Sequence, residues 1–274
     1  MCELTPILKW AGGKRQLQNE IISLIPQEFE CYYEPFVGAG AILLKLHPLR
    51  AVINDANIEL MNVYRIIRDQ PEELIQLLQE YERFHSESLY YNVREMDRNR
   101  EKFVELSRLQ KAARTIYLNR TCYNGLYRVN KSGYFNTPMG RNTHIQIVNA
   151  RGILRISRYL NENEIQILNG NYTNALENIT QRDFVFLDPP YYPINRDSFV
   201  RYDMSPFGIS EQIELKEICD QLNARGVRFI QTNSNCQEIK EMYAHYNQVE
   251  VGVRRCINTE VDGRRGTELI IYNY

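Results

Sequence analysis

Phe184-Val185-Phe186-Leu187 is a run of four bulky apolar residues, stopped at once by Asp188, Pro189, Pro190 and Tyr191. A strand with one wet face alternates apolar and polar side chains. An unbroken apolar run needs cover on both faces, as in a central strand of a parallel sheet flanked by helices. Prolines cannot donate to a ladder, so the strand ends here and leaves a carboxylate at its carboxyl end. Ligands of such sheets bind outside that end.

The surrounding chain repeats the pattern. "CYYEPFVGAG" carries a short strand into a glycine turn, "AILLKL" starts a helix, and "AVIND" is a second strand ending in an acid. Strand, helix and strand in that order make a βαβ unit and predict parallel pairing. A helix is expected from about Gln16 to Leu24. Alternation resumes with "EIQILNG", "DFVFLD", a helix closed by Gly226, "VRFIQTN", a helix in "CQEIKEMYAHY", and the strands "QVEVGVRR" and "ELIIYN". Between these blocks, "IELMNVYRIIRD", "PEELIQLLQEYERF" and "EKFVELSRLQKAARTIYLN" each read as one helix, with Pro71 suited to a first turn. An irregular stretch follows, whose Asn-Gly and Ser-Gly pairs predict hairpin turns. The expected class is α/β, with residues 1–57 and 149–274 forming the sheet domain and 58–148 a mainly helical insert containing a β-hairpin.

At 274 residues and 43% hydrophobic, the chain can bury a sizeable core. No run approaches the roughly 18 apolar residues of a membrane span, and "MCELTPILKW" lacks the order of a signal peptide, so a cytoplasmic location is expected. The six cysteines contain no C-x-x-C pair and the four histidines stand apart from them, so neither a metal site nor a disulfide framework is expected. Net charge is only −1, yet Leu106 to Asn161 contains ten Lys or Arg and no acid, leaving 23 basic against 34 acidic residues elsewhere. Interleaved with Tyr117, Tyr123, Tyr127, Tyr134 and Phe135, this segment predicts a polyanion partner, with Arg114, Arg120 and Arg141 among its contacts. Arg254, Arg255, Arg264 and Arg265 flank "NTEVDGRRG", which fits either a phosphate grip or a solvated loop.

"FVGAG" lacks the third glycine of the pyrophosphate fingerprint, which points to a nucleoside ligand without a diphosphate. Gly38 and Gly40 either admit a ligand against the backbone or serve a tight packing turn. Asp55, at the next strand end, stands where an acceptor for ribose hydroxyls belongs, and Glu34 is a nearby anion. S-adenosylmethionine, with its ribose, adenine and sulfonium, fits this set. In "LKWAGGKR", Trp10, Ala11, Gly12 and Lys14 suit a loop lying against a ligand, the alternative being a core tryptophan beside a surface lysine.

The Asp188 tetrad suits an amine whose lone pair is delocalised into an aromatic ring, as in adenine. The Asp188 carboxylate and the Pro189 carbonyl, each accepting one N–H, favour a tetrahedral nitrogen with its lone pair aimed at an electrophilic methyl. Pro189 and Pro190 hold these acceptors stiffly. Tyr191 offers a ring on which a base can stack, worth roughly 1–3 kcal/mol. Transfer would be direct, and a base inside a duplex would first be flipped out.

Jointly, "LKWAGGK", "EPFVGAG", "IND", "YLNRTCYNGLYRVNKSGYFNTPMGR" and "FLDPPY" resemble the Dam-type DNA adenine methyltransferases of the α group, over nearly the whole chain. The resemblance implies a Rossmann-like methyltransferase sheet with an inserted DNA-recognition domain. It implies S-adenosylmethionine bound by Trp10, Lys14, Phe36, Gly38, Asp55 and Asp188, and catalysis by Asp188 to Tyr191. Double-stranded DNA is the implied partner and GATC the implied target. Lys9 would read the first guanine, Tyr123 would wedge beside the flipped adenine, and Asn124, Leu126, Arg128 and Pro138 would read the rest. Leu126 suits a thymine methyl and Arg128 a guanine edge; a plain Asn-Gly hairpin with a surface arginine is the alternative. Met139 departs from the family, which usually has an aromatic there. A restriction endonuclease acting on the same site is one candidate partner, the alternatives being service to a phage or action alone in chromosome marking. The rivals are an enzyme acting on the 4-amino group of cytosine or on RNA, and a DNA-binding module without turnover.

Overall fold

The computed structural model of the protein describes residues 4–10, 12–141, 145–193, 207–254 and 265–274. Ala11, Arg255 and Arg264 lie outside these residues, as does the loop between Arg254 and Arg265. The chain divides into two compact units.

One unit comprises Lys14–Phe36, Arg50–Ile53 and Tyr172–Tyr274. It holds helix α1 (Gln18–Leu24) and strands β1 (Tyr32–Glu34), β2 (Arg50–Ile53), β4 (Phe184–Leu187), β5 (Arg228–Ser234), β6 (Asn247–Arg254) and β7 (Arg265–Tyr272). These strands neighbour one another in the order β2-β1-β4-β5-β7-β6. The pairs β1·β2, β1·β4 and β4·β5 are parallel, and β7 runs antiparallel to both β5 and β6. Every residue of β4 is buried, as an unbroken apolar run requires. Ile21, Tyr32, Phe184, Phe229, Leu215 and Ile270 fill the core around it, each burial worth roughly 1.5–3 kcal/mol before the entropy of ordering is subtracted. The register Leu187↔Gln231 brings the ends of β4 and β5 level. Helices α9 (Ile209–Ala224) and α10 (Gln237–Met242) follow β4 and β5 along the chain, and Gly226, with φ 74°, ends α9 as the sequence predicts.

The other unit comprises Met1–Gly13, Val37–Leu49 and Asn54–Asn171. It contains α2 (Leu43–Leu46), α3 (Ile58–Asp69), α4 (Pro71–Arg83), α5 (Glu87–Glu95), α6 (Arg100–Glu105), α7 (Arg108–Thr121), α8 (Ala150–Glu162) and strand β3 (Glu164–Ile167). Its centre is α7, buried from Ala112 to Asn119 and packed on α3, α4 and α5. The segment read as one helix from Glu101 is two. Leu106 is extended, and Ser107 starts α7 with a capping box: its Oγ accepts from Gln110 N at 3.1 Å while Gln110 Oε1 accepts from Ser107 N at 2.9 Å. Sequence reading also passed over α5 and α8. The signals were present in the caps Ser86 and Asn149, and in the spacing of the buried Ile153, Ile156, Tyr159 and Leu160.

Candidate active site and nucleic-acid interface

Asp188 stands one residue past the end of β4, and Thr232 one residue past its register partner on β5. Asp188 Oδ1 lies 2.8 Å from Lys14 Nζ and accepts from Thr232 Oγ1 at 2.6 Å. The residues are 4% exposed at Lys14 and 18% at Asp188, so the ion pair is mostly withdrawn from water yet open on one side. Among the described residues Oδ2 has no hydrogen bond. The Pro190 carbonyl accepts from Gln212 Nε2 at 2.8 Å, whereas the Pro189 carbonyl has no donor among the described residues. Asn233 completes the brace: its Oδ1 accepts from Tyr192 N at 3.1 Å and its Nδ2 donates to Gln212 Oε1 at 3.0 Å. Ser234 Oγ donates to the Tyr192 carbonyl. Among the described residues the loop thus has two unshared acceptors, Asp188 Oδ2 and Pro189 O, on a backbone fixed by two prolines and by buried amides.

Tyr191 is held at both ends. Its hydroxyl donates to Glu268 Oε2 at 2.6 Å, and Lys14 Nζ lies 4.7 Å from its ring centroid. Burial, then the negative charges of Asp188 and Glu268, push the Tyr191 hydroxyl well above the ordinary tyrosine range, so it stays neutral. Gln212, Thr232, Asn233 and Glu268 escaped sequence reading; the missed signals were the polar residues that "VRFIQTN" and "ELIIYN" carry into apolar strands, and a buried glutamine in α9. Phe36 stacks on Tyr172 at 4.9 Å between centroids, and the buried Glu34 accepts from Tyr32 Oη at 2.9 Å.

In the helical unit, Asp55 ties two backbone segments. Oδ2 accepts from Gly38 N at 3.2 Å and Oδ1 from Asn57 N at 2.9 Å, while Asp55 O accepts from Asn169 Nδ2 at 2.8 Å. Burial raises its carboxyl pKa and these two amides lower it, with burial the larger effect. A carboxylate left short of donors has lone pairs to spare for hydroxyl groups. Gly38 and Gly40 have φ of 50° and 70°, where side chains strain the backbone. The protein's own groups crowd them: a Cβ at Gly38 would meet the Trp10 indole at 3.2 Å, and one at Gly40 the Tyr64 hydroxyl at 2.6 Å. Trp10 itself stacks on Tyr127 at 5.1 Å, and Gly12 is exposed.

The Asn-Gly pair forms a primed turn. Asn124 and Gly125 have φ of 55° and 67°, and Leu126 N donates to Tyr123 O at 3.2 Å. Tyr123 is 51% exposed at the tip, and Asn124 is exposed beside it. Tyr123 N donates to Pro138 O at 2.9 Å and Gly140 N to Thr121 O at 2.8 Å, so main-chain bonds set Pro138 despite the unusual Met139. A second hairpin closes over Asn130 to Gly133, on whose stem Arg128 Nε donates to Asn136 Oδ1 at 2.7 Å. Asn119, fully buried, spends its whole amide on main chain: Nδ2 donates to Lys9 O at 2.7 Å and Gly125 O at 2.9 Å, and Oδ1 accepts from Lys9 N at 2.8 Å. It clips Lys9 to the turn.

The result is a cleft of about 410 Å³ lined by Lys9, Arg120, Tyr123, Asn124, Arg141 and Gln146 among others, where cations converge around an aromatic. Exposed Arg128 and Pro138 and half-buried Leu126 belong to the hairpins that continue from the turn. Arg120 Nε donates to Gln146 O at 2.9 Å, which extends its guanidinium along the cleft wall. Arg114 does not join them. It is buried, pairs with Asp97 at 2.8 Å, and donates to the Val93 and Arg94 carbonyls at 2.9 Å each, so the expectation that it touches phosphate is wrong. Periodicity puts it on the packed side of α7, and a count of charges along the chain cannot see that. No cluster of metal-ligating side chains occurs among the described residues.

A family profile described as D12 class N6 adenine-specific DNA methyltransferase matches residues 10–257. The chain is 39% identical over 273 residues to the Type II methyltransferase M1.LlaDCHI of Lactococcus lactis subsp. cremoris, covering 99% of this chain and 96% of that protein. It is 35% identical to the Type II methyltransferase M.MjaIII of Methanocaldococcus jannaschii, covering 99% and 100%. To the DNA adenine methylase of Escherichia coli K12 it is 29% identical, covering 97% and 94%. With an acid-led tetrad at the end of a buried strand, and a match across nearly its full length, the chain belongs to the D12 class of N6 adenine-specific DNA methyltransferases.

Proposed function

We propose that the enzyme moves a methyl group from S-adenosylmethionine to the 6-amino group of adenine in GATC, after that base leaves the duplex stack. The observation carrying this reading is the pair of acceptors, Asp188 Oδ2 and Pro189 O, left unshared among the described residues on a braced loop. Two N–H groups of one amine can be accepted there while its lone pair points away from both. The Tyr191 ring supplies a face for the planar base. The bound donor would supply an electrophilic methyl carbon on a sulfonium. Asp55 fits its ribose, being a half-buried carboxylate with spare acceptor capacity, and Phe36 and Glu34 fit the adenine and the cationic centre. Residues 58–148 carry target recognition: Tyr123 wedges into the duplex, Lys9, Asn124, Leu126, Arg128 and Pro138 read the site, and Arg120 and Arg141 hold backbone phosphates. The Type II names of two relatives support a restriction endonuclease of the same specificity as partner.

Expression in a methylation-free host followed by base-resolved mapping of modified DNA tests this directly. N6-methyladenine confined to GATC is expected; N4-methylcytosine, or adenine modified in another context, would replace the reading. Arg128→Ala should relax discrimination at one base pair by about 1–3 kcal/mol, read as kcat/KM across single-substitution sites. An equal loss at every site would deny it a reading role. Arg120→Ala should make the slope of log binding constant against log salt shallower by roughly one. An unchanged slope would leave Arg120 as wall rather than contact.

A further inference from the structure

Asp188 has two oxygens, and the chemistry above needs a particular one to face the substrate. Nothing in a carboxylate itself makes that choice, because rotation about its last bond exchanges them. Here Oδ1 takes both protein donors, Lys14 Nζ at 2.8 Å and Thr232 Oγ1 at 2.6 Å. Lys14 can follow the carboxylate on its long flexible stem. Thr232 cannot: it is a β-branched residue inside β5, fully buried, with its backbone laddered to Ile270 of β7. A hydroxyl placed so deep costs about 1–3 kcal/mol unless bonded, and in a buried strand valine would fill the same volume without that cost.

We propose that Thr232 is a positioning residue for methyl transfer: its hydroxyl pins Oδ1 of Asp188 and so presents Oδ2, beside the Pro189 carbonyl, to the amino group. The inference rests on Asp188 acting as reading of the site assigns it, and adds what selects the working oxygen. It also explains why the strand next to β4 carries a polar residue at this level. Thr232 is placed to act through Asp188, although its side chain also bonds that of Tyr191. Its loss should therefore slow the chemical step and leave binding alone.

The test uses the full-length enzyme, radiolabelled S-adenosylmethionine and a GATC duplex. Thr232→Val and Thr232→Ala are expected to lower the single-turnover rate roughly 10- to 100-fold, with KM for DNA and for the methyl donor within about threefold of wild type. Thr232→Ser should recover the rate to within about threefold, since it restores the hydroxyl but not the methyl. Asp188→Ala is run alongside. If Asp188→Ala is inactive while Thr232→Val keeps the wild-type rate, the positioning role is overturned and the reading of Asp188 stands. If Asp188→Ala keeps the wild-type rate, both fall. A serine variant as slow as valine, or a loss confined to KM, also overturns the proposal. Should valine fail to melt cooperatively, alanine against serine carries the same comparison.

Discussion

Asp188→Asn is expected to lower the rate of methyl transfer roughly a hundred- to a thousandfold while DNA binding stays within a few-fold. The size follows from the bonding already in place. Lys14 and Thr232 both present donors to one side of residue 188. Asparagine must turn its single oxygen toward them, because the ammonium has no lone pair to accept a bond. Its NH2 group then faces the substrate amine, and two donors meet where an acceptor is needed. Alanine would leave the buried Lys14 ammonium and the Thr232 hydroxyl with no oxygen at this position, whereas asparagine keeps one acceptor there, so asparagine separates chemistry from stability more cleanly. Pre-steady-state transfer of labelled methyl to a GATC duplex measures it. A rate within threefold of wild type would show that the carboxylate is not the acceptor.

Arg114→Ala should destabilise the fold by about 3–5 kcal/mol, and should leave the salt dependence of DNA binding unchanged. Arg114 and Asp97 pair at 2.8 Å with 5% and 9% of their side chains exposed. Removing the guanidinium takes from the buried Asp97 carboxylate its more deeply buried cation, leaving Arg98 Nη1 and Phe135 N, and frees the carbonyls of Val93 and Arg94 inside the helical unit. Breaking one side of a buried pair costs far more than the pair contributes. A fall in melting temperature of about 10 °C is the expected reading. A melting point near that of wild type, together with a shallower salt slope, would return Arg114 to the surface.

These two sites mark how far the sequence could be read. Phe184 to Leu187 announced a covered strand, and Asp188 to Tyr191 announced where it stops, because burial pattern and proline chemistry are local properties. The glycine turns were legible for the same reason: a positive φ at Gly38, Gly40 or Gly125 is a fact about one residue. What stayed hidden depended on partners distant in the chain. Arg114 looked like its basic neighbours until Asp97, seventeen positions earlier, was placed against it. Thr232 and Glu268 read as strand residues until the register of β5 against β4 and β7 set them beside Asp188 and Tyr191. Leu106 looked helical because its spacing is helical, and only the reciprocal bonds of Ser107 and Gln110 decide that a new helix starts there.

Asn119 grips nothing but peptide groups of Lys9 and Gly125. The architecture of the tip therefore depends little on the side chain at 123, provided glycine stays at 125 and position 124 keeps a residue that accepts a φ of 55°. If these tip residues read the site as proposed, altered letter preference can arise by exchange there at little cost in folding, with 126 kept apolar because it is half-buried. A library randomised there and selected on foreign tetranucleotides should return well-folded enzymes with new targets, whereas one randomised at 119 should return mostly unstable ones.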